Sequence, residues 1–338
     1  MKIAIVGAGA IGGLLGCRLA AAGEQVTFIA RNKNLAAINA QGFTLSEEDG
    51  SELHVAPGAT LRAVQRMSEA GPQDAVLLTV KAHQLGDLLG ELPVLFGPQT
   101  MVVSMINGLP WWYFQGLAGA HQGRVLESVD PGGAIAACIA PERVIGSIVY
   151  PAAQLEAPGR VRLIEGNRFS LGELDGSRSE RIEQLSQTLM RAGFKAPVAK
   201  DIRSELWVKL WGNLSFNPIS ALTHATLEDI CRFPLTRELA ARMMSEAQTI
   251  GEKLGVQFKI SLDKRIAGAE AVGAHKTSML QDVEAGRALE LEALLGAVVE
   301  LARITETPSP NLDAIYAVTR LLALTLHEHQ GTLTLRRS

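Results

Sequence analysis

Three polar side chains recur at four-residue intervals in the apolar stretch ELWVKLWGNLSFNPISAL (residues 205–222): Lys209, Asn213 and Asn217. In an α-helix this spacing places them in one row along the surface. Such a row could bind a polar substrate, and its ammonium could donate a proton. The solvated face of an amphipathic helix would show the same pattern, so both interpretations stay open. We expect Pro218 to end or kink this helix.

A carboxylate heads the apolar stripe of a second predicted helix, GRALELEALLGAVVELA (residues 286–302). Glu290 shares a face with Leu294, whereas Glu292 and Glu300 lie elsewhere and resemble ordinary solvated acids. A carboxylate on an apolar stripe requires a cationic or hydroxyl partner. The alternative for Glu290 is a solvated acid at a helix start, which the helix dipole favours.

The stretch KTSMLQD (residues 276–282) lies between these two helices. Ser278 followed by Gln281 has the spacing of a capping box, which predicts that Ser278 begins a helix. A hydroxyl at a helix N-terminus also suits the carboxylate of a ligand. The two roles are compatible only if the hydroxyl and the backbone amides are shared between them.

The N-terminus has the pattern of a strand–helix–strand unit that could position a cofactor. Residues 2–6 and 25–30 read as strands, and residues 11–22 have helical spacing. The glycines of the GxGxxG turn between them would allow a tight turn, approach of a pyrophosphate and close helix packing, in that order. A glycine-rich turn without a ligand is the alternative, which this context disfavours. The candidate cofactor-binding residues here are Gly7, Gly9, Ala10, Ile11 and Gly12.

The end of the second strand indicates which nucleotide is bound. It reads FIARNKN, with Arg31 and Lys33 but no acid. Enzymes that use NAD usually place Asp or Glu there, whereas a guanidinium can grip the 2′-phosphate of NADP. The sequence therefore predicts NADP(H), with a solvated loop arginine as the alternative.

Two polar residues follow further predicted strands. Lys81 ends DAVLLTVK and Asn107 ends MVVSMIN. Ligands of open α/β sheets lie beyond the carboxyl ends of the strands, so both residues are candidates for binding nicotinamide or substrate. A solvated lysine and a turn-forming asparagine are the alternatives. The strands predicted after the first two are residues 74–80, 101–106, 124–129 and 144–149.

These elements predict two domains. Residues 1–198 would form an α/β Rossmann-like domain with a mainly parallel, doubly wound sheet, including a hairpin or meander over 146–174 with its turn at Pro158–Gly159. Residues 199–338 would form an all-α substrate and catalytic domain. The chain of 338 residues is long enough for both.

Composition excludes several classes of protein. The 32 basic and 35 acidic side chains form no long runs, which argues against a nucleic-acid or membrane-surface partner. Arg18 and several glycines interrupt the apolar start, so we expect neither export nor a membrane span. Three cysteines without a C-x-x-C pair indicate a reducing cytoplasm, with no disulfide framework and no metal site.

Taken in order, these motifs resemble the ketopantoate reductase (2-dehydropantoate 2-reductase) family over residues 1 to about 325. The motifs are VGAGAIGG, FIAR, TVKAHQ, ING, LWVKLWGNLSFNP, SMLQD and AGRALELE. The resemblance implies a Rossmann-like domain, a helical domain similar to that of 6-phosphogluconate dehydrogenases, and NADPH-dependent reduction of a small 2-oxo acid in pantothenate synthesis.

The resemblance also implies roles for individual residues. Lys209 matches the catalytic lysine, and Glu290 matches the acid that orients the substrate hydroxyl and that lysine. The remaining matches are Asn107, Asn213, Asn217 and Ser278 for substrate, and Gly7, Gly9, Gly12, Arg31, Lys81 and Asn107 for the cofactor. Members of the family differ in oligomeric state, which leaves a homodimer open.

One stretch departs from the family pattern. After Asn107 the chain reads GLPWWYFQG, with four adjacent aromatic residues at 111–114. The rings could be core packing, a domain-interface contact or the lining of a pocket for a bulkier substrate. Reduction of another branched or aromatic 2-oxo acid is therefore an alternative to ketopantoate, and an NADP-sensing protein without turnover is a third interpretation.

Overall fold

The computed structural model describes residues 1–335, which divide into two compact units. The N-terminal unit comprises Met1–Val125 and Gly132–Ile202, and the C-terminal unit comprises Leu126–Pro131 and the residues from Arg203 onward. No helix within residues 1–335 combines the length and the apolar character that crossing a bilayer would require.

Two sheets form the N-terminal unit. The strands are β1 (Lys2–Val6), β2 (Gln25–Ile29), β3 (Phe43–Ser46), β4 (Glu52–Val55), β5 (Leu61–Val64), β6 (Gln73–Leu78), β7 (Phe96–Ser104), β8 (Val144–Val149), β9 (Ala152–Ala157), β10 (Arg160–Glu165) and β11 (Phe169–Glu173). The larger sheet has the order β11-β8-β7-β6-β1-β2-β5, and the smaller has the order β4-β3-β10-β9. In the larger sheet only β11 runs antiparallel to its neighbour. The α/β class with a mainly parallel sheet is confirmed.

Helices make up the regular structure of the C-terminal unit, as the sequence predicted. The α-helices of residues 1–335 are α1 (Ala10–Ala21), α2 (Asn32–Gln41), α3 (Ala134–Cys138), α4 (Glu180–Arg191), α5 (Ile202–Thr223), α6 (Leu227–Arg232), α7 (Pro234–Lys253), α8 (Leu262–Ala271), α9 (Ser278–Glu284), α10 (Ala297–Ile304) and α11 (Pro310–Glu328). A π-helical turn, Glu292–Gly296, leads into α10.

Glycines of α1 let this helix pack closely on both sheets. A Cβ atom on Gly16 would lie 2.2 Å from the ring of Phe28 in β2, and one on Gly13 would lie 2.4 Å from the ring of Phe43 in β3. The two rings stack with centroids 5.2 Å apart. Any larger side chain at either glycine would force helix and sheet apart, so these glycines serve packing.

The strand predicted at residues 124–129 is wrong. The backbone N–H groups of Glu127 and Ser128 instead donate hydrogen bonds of 2.9 and 2.8 Å to the carboxylate of Glu300. The prediction that Glu300 is an ordinary solvated acid is therefore also wrong. The Glu300 carboxylate accepts from backbone N–H groups that a neighbouring strand would otherwise pair with. The apolar pattern of residues 124–129 does not indicate this acceptor, so it predicted a strand.

The hairpin predicted within residues 146–174 is present as β9 and β10, with Gly159 at φ 73° in its turn. It belongs to the smaller sheet. The flanking strands β8 and β11 pair with each other in the larger one.

Pro218 does not end α5, because the helix continues to Thr223. The first of the two predicted outcomes, an end of the helix, is therefore wrong, and a kink stays a prediction. Tertiary packing explains the tolerance. Trp207 and Trp211 are fully buried, and Trp211 Nε1 donates to the carbonyl of Met244 at 2.6 Å. A helix anchored in this way can absorb the roughly 3 kcal/mol that an interior proline costs.

Candidate active site

The glycine-rich turn after β1 is braced from two sides. Thr79 Oγ1 donates a 2.8 Å hydrogen bond to the carbonyl of Gly7, and Asn34 Nδ2 donates a 3.0 Å bond to the carbonyl of Ala8. Asn34 lies in the first turn of α2, so it ties that helix to the turn. Sequence reasoning missed both braces, because a single Thr or Asn near a turn carries no distinctive pattern.

The three glycines of the turn differ in what surrounds them. Gly7 has φ +109°, which disfavours other residues. A Cβ on Gly12 would lie 2.0 Å from the carbonyl oxygen of Gly7, so space excludes a side chain. A Cβ on Gly9 would meet no described heavy atom within 4 Å. The fold therefore requires glycine at positions 7 and 12 but leaves the surface at Gly9 open.

Ala10 and Ile11 form the start of α1, directly behind this open surface. The first turn of α1 contains no acidic residue, and its N-cap residue, Gly9, has no side chain that could accept from the first N–H groups. An N-terminus of this kind favours an anion, because its backbone N–H groups and helix dipole both attract negative charge.

Arg31 lies just beyond the carboxyl end of β2, at the N-cap position of α2. Its side chain is exposed, and so is that of Lys33. The segment from Ala30 to Asn34 contains no carboxylate. The position at which NAD enzymes usually hold the ribose with an acid is therefore basic in this protein.

Lys81 and Asn107 follow neighbouring parallel strands. Leu78 of β6 is in register with Ser104 of β7, so the two residues leave the sheet at the same edge. Both side chains are partly buried. The Lys81 backbone N–H donates to Gln84 Oε1 at 3.1 Å, which fixes the start of a short 3₁₀ turn.

In the C-terminal unit, Lys209 lies on α5, and Glu290 immediately precedes the helical segment that starts at Leu291. Both residues are partly buried. Burial lowers the pKa of Lys209 from 10.5 to about 8, and the negative charge of Glu290 opposes part of that shift. The two residues therefore interact electrostatically although they lie far apart in the sequence. An ammonium with this pKa gives up its proton more readily than an exposed lysine does.

A second polar pair involves the same helix. Asn217 is 5% exposed, and its Nδ2 lies 3.5 Å from Ser278 Oγ in α9. Ser278 is not the N-cap that its spacing predicted. Thr277 caps α9 instead, accepting a 3.3 Å hydrogen bond from the backbone N–H of Leu280. Ser278 is an exposed residue at the first helical position of α9.

Asn213 is partly buried between these pairs in the helical row. A further side chain at α5, Arg265 of α8, was missed by the sequence analysis. Its guanidinium lies against Gly212. A glycine in the middle of a long helix was the signal that could have indicated a close neighbour.

The aromatic cluster at residues 111–114 is buried, with every ring at most 4% exposed. Trp112 lies against Gly146 of β8, where a Cβ would come within 2.9 Å of the indole. Tyr113 and Phe114 meet edge to face, with centroids 5.0 Å apart. These contacts favour the packing interpretation.

Family models match both parts of the chain. The model described as ketopantoate reductase PanE/ApbA matches residues 3–176, and its C-terminal counterpart matches residues 201–323. A 2-dehydropantoate 2-reductase from Mesorhizobium japonicum is 54% identical over 325 residues, which cover 96% of this chain and 98% of that protein.

Solved structures agree with this match. A candidate ketopantoate reductase from Ralstonia solanacearum MolK2 is 38% identical with a TM-score of 0.90, covering 96% of this chain and 98% of that one. The 2-dehydropantoate 2-reductase from Geobacter metallireducens GS-15 is 25% identical with a TM-score of 0.82, covering 95% and 100%.

An α/β unit with a glycine-rich turn and a helical unit with a lysine–glutamate pair define a two-domain class of proteins. Within that class, the chain belongs to the ketopantoate reductase family. The resemblance predicted from the motifs is confirmed.

Proposed function

We propose that this protein reduces a 2-oxo acid to a 2-hydroxy acid with NADPH, and that the substrate is ketopantoate (2-dehydropantoate), in cytoplasmic pantothenate synthesis. The observation that carries the proposal is the coupled pair of Lys209 and Glu290, on the helix that also carries the two asparagines. The 54% identical relative from M. japonicum, which is named 2-dehydropantoate 2-reductase, supports ketopantoate as the substrate.

The chain's own residues would stabilise the charge that develops during reduction. When a hydride reaches the keto carbon, negative charge grows on the oxygen, and the Lys209 ammonium can stabilise it and then donate a proton. The carboxylate of Glu290 keeps Lys209 charged and oriented. Asn107, Asn213, Asn217 and Ser278 would hydrogen-bond the polar groups of the substrate.

The N-terminal unit fits a dinucleotide. The open surface at Gly9 leaves room for a pyrophosphate, and the start of α1, with Ala10 and Ile11, favours its charge. Arg31 would bind the 2′-phosphate, and Lys81 would lie near the nicotinamide together with Asn107. The cofactor supplies the hydride when bound, and the protein provides placement and electrostatics.

We also propose that the chain divides by function, with residues 1–198 binding the cofactor and residues 199–338 providing substrate binding and catalysis. Each half carries its own set of candidate residues. The cofactor set lies on the first half, with Asn107 shared, and Lys209, Glu290 and the remaining substrate residues lie on the second.

The test is a spectrophotometric assay of NADPH oxidation with ketopantoate beside a panel of branched and aromatic 2-oxo acids. We expect the highest kcat/KM with ketopantoate. A large advantage for another acid would replace ketopantoate as the substrate. Tight NADPH binding without oxidation by any 2-oxo acid would indicate a sensor rather than an enzyme.

A further inference from the structure

An arginine packs directly against the helix that carries the candidate catalytic lysine. A Cβ atom built on Gly212 of α5 would lie 1.9 Å from Arg265 Nη2 and 2.6 Å from its Cζ. The guanidinium therefore occupies the space that a side chain at position 212 would fill. Arg265 belongs to α8 and is half-buried.

Gly212 lies within the polar stretch of α5. It is three residues after Lys209 and one before Asn213. Residues three apart on a helix are surface neighbours, about 5–6 Å between Cβ positions. The Arg265 guanidinium thus lies beside the helical turn that starts at Lys209.

A 2-oxo acid presents two oxygen-bearing groups on adjacent carbons, the carboxylate and the ketone. Of the residues proposed to bind the substrate, Lys209 is assigned to the keto oxygen, and the others are uncharged: Asn107, Asn213, Asn217 and Ser278. A guanidinium offers paired, charge-assisted hydrogen bonds in the planar geometry of a carboxylate. Groups that bind adjacent carbons must lie near one another, and Gly212, against which Arg265 packs, is one helical turn from Lys209.

We propose that Arg265 binds the carboxylate of the 2-oxo acid, and that glycine at position 212 exists to admit its guanidinium to α5. The inference rests on the proposed function, because it takes the substrate to be a 2-oxo acid. Lys209 then acts on the keto oxygen, and Arg265 determines selectivity for an acid over a neutral ketone.

The Gly212→Ala variant tests the inference without removing the arginine. The new methyl group would collide with the end of a flexible side chain, so the guanidinium must move while the helix persists. We expect the KM for the 2-oxo acid to rise about 10- to 100-fold, the scale of losing a charge-assisted pair of hydrogen bonds. The KM for NADPH should stay the same, and the melting temperature should hold or rise, because alanine favours helix.

Arg265→Met should raise the same KM at least as much, and Arg265→Lys should have an intermediate effect, since it keeps the charge but loses the fork. Two variants on α8 serve as matched controls. Gly268→Ala adds a methyl group where no described heavy atom lies within 4 Å, and Lys264→Met removes an exposed charge from the neighbouring position. Neither should change the KM for the 2-oxo acid.

The outcomes separate the two proposals. An active wild-type enzyme whose KM for the 2-oxo acid is unchanged in both Gly212→Ala and Arg265→Met would overturn the role of Arg265 alone, even if Arg265→Met lowered the melting temperature. A wild-type protein that reduces no 2-oxo acid would overturn the proposed function, and this inference with it.

Discussion

At the scale of single residues, the ammonium of Lys209 is the group on which the proposed chemistry depends. Lys209→Ala should lower kcat about 10²- to 10⁴-fold, the usual loss when a general acid is removed. The dissociation constant of NADPH, measured by fluorescence titration, should change little. An unaltered kcat would exclude Lys209 from proton transfer.

The pH dependence of kcat/KM follows from the lowered pKa of Lys209. The lysine donates a proton only while it is charged, so activity should be high below pH 8 and fall as the pH rises through about 8. Glu290 raises the pKa of Lys209. Glu290→Gln should therefore move the descending limb to lower pH. A limb that stays in place would show that Glu290 does not act through the lysine.

Arg31 is the single residue that is proposed to distinguish NADPH from NADH. Arg31→Ala should raise the KM for NADPH about 10- to 100-fold and leave the KM for NADH nearly unchanged, since only NADPH carries the 2′-phosphate. Arg178→Ala, which removes an exposed arginine from the same unit, is the control. Equal effects on both coenzymes would contradict the assignment.

At the scale of elements, we expect one glycine of the turn between β1 and α1 to serve NADPH binding and another to serve folding. Gly9→Ala meets no described atom and should leave the melting temperature unchanged, but it should weaken NADPH binding about tenfold or more. Gly12→Ala would meet the backbone carbonyl of Gly7 and should lower the free energy of unfolding by about 1–3 kcal/mol. Calorimetry with and without NADPH measures both effects, and the reverse ranking would refute this division.

Elements whose signals are local were predictable. β1, α1 and β2 follow from a short apolar run, helical spacing and the three glycines of the GxGxxG turn. Features that depend on distant partners were not. The backbone N–H of Glu127 donates to the carboxylate of Glu300, and no residue near position 127 indicates this contact. Likewise, α5 runs through Pro218 because buried tryptophans anchor it, a tertiary effect that outweighs the local preference of proline.

The residues of the candidate site were likewise predictable only where the signal is local in the sequence. Lys209, Asn213 and Asn217 were predictable from their spacing, and Lys81 and Asn107 from their positions at the ends of predicted strands. Arg265 could not be predicted from its sequence neighbours, because its contact with Gly212 joins two helices that are separated in the sequence by two others, α6 and α7. Spacing reveals one face of a helix, but only the structure reveals what packs against it.

At the scale of the whole molecule, the chain contributes a short early segment to the C-terminal unit. Leu126–Pro131 groups with the residues from Arg203 onward, and the carboxylate of Glu300 accepts hydrogen bonds from its backbone. Glu300→Ala leaves two N–H donors without their acceptor and should lower the free energy of unfolding by about 1–3 kcal/mol in urea. Glu238→Ala, which removes an exposed i,i+4 partner of Arg242, should change it by no more than about 0.5 kcal/mol. Equal losses in the two variants would mean that the segment is held by other contacts.

The hydrogen bond from Asn34 to Ala8 has a consequence for coenzyme engineering. The first turn of α2 carries both the residue proposed to select NADPH and the side chain that braces the glycine-rich turn. An aspartate at position 31 would suit the N-cap of α2, where the Arg31 side chain makes no capping hydrogen bond, but a wider exchange that replaced Asn34 would remove the brace. A switch to NADH should therefore be attempted by grafting residues 30–34 as one cassette that retains Asn34.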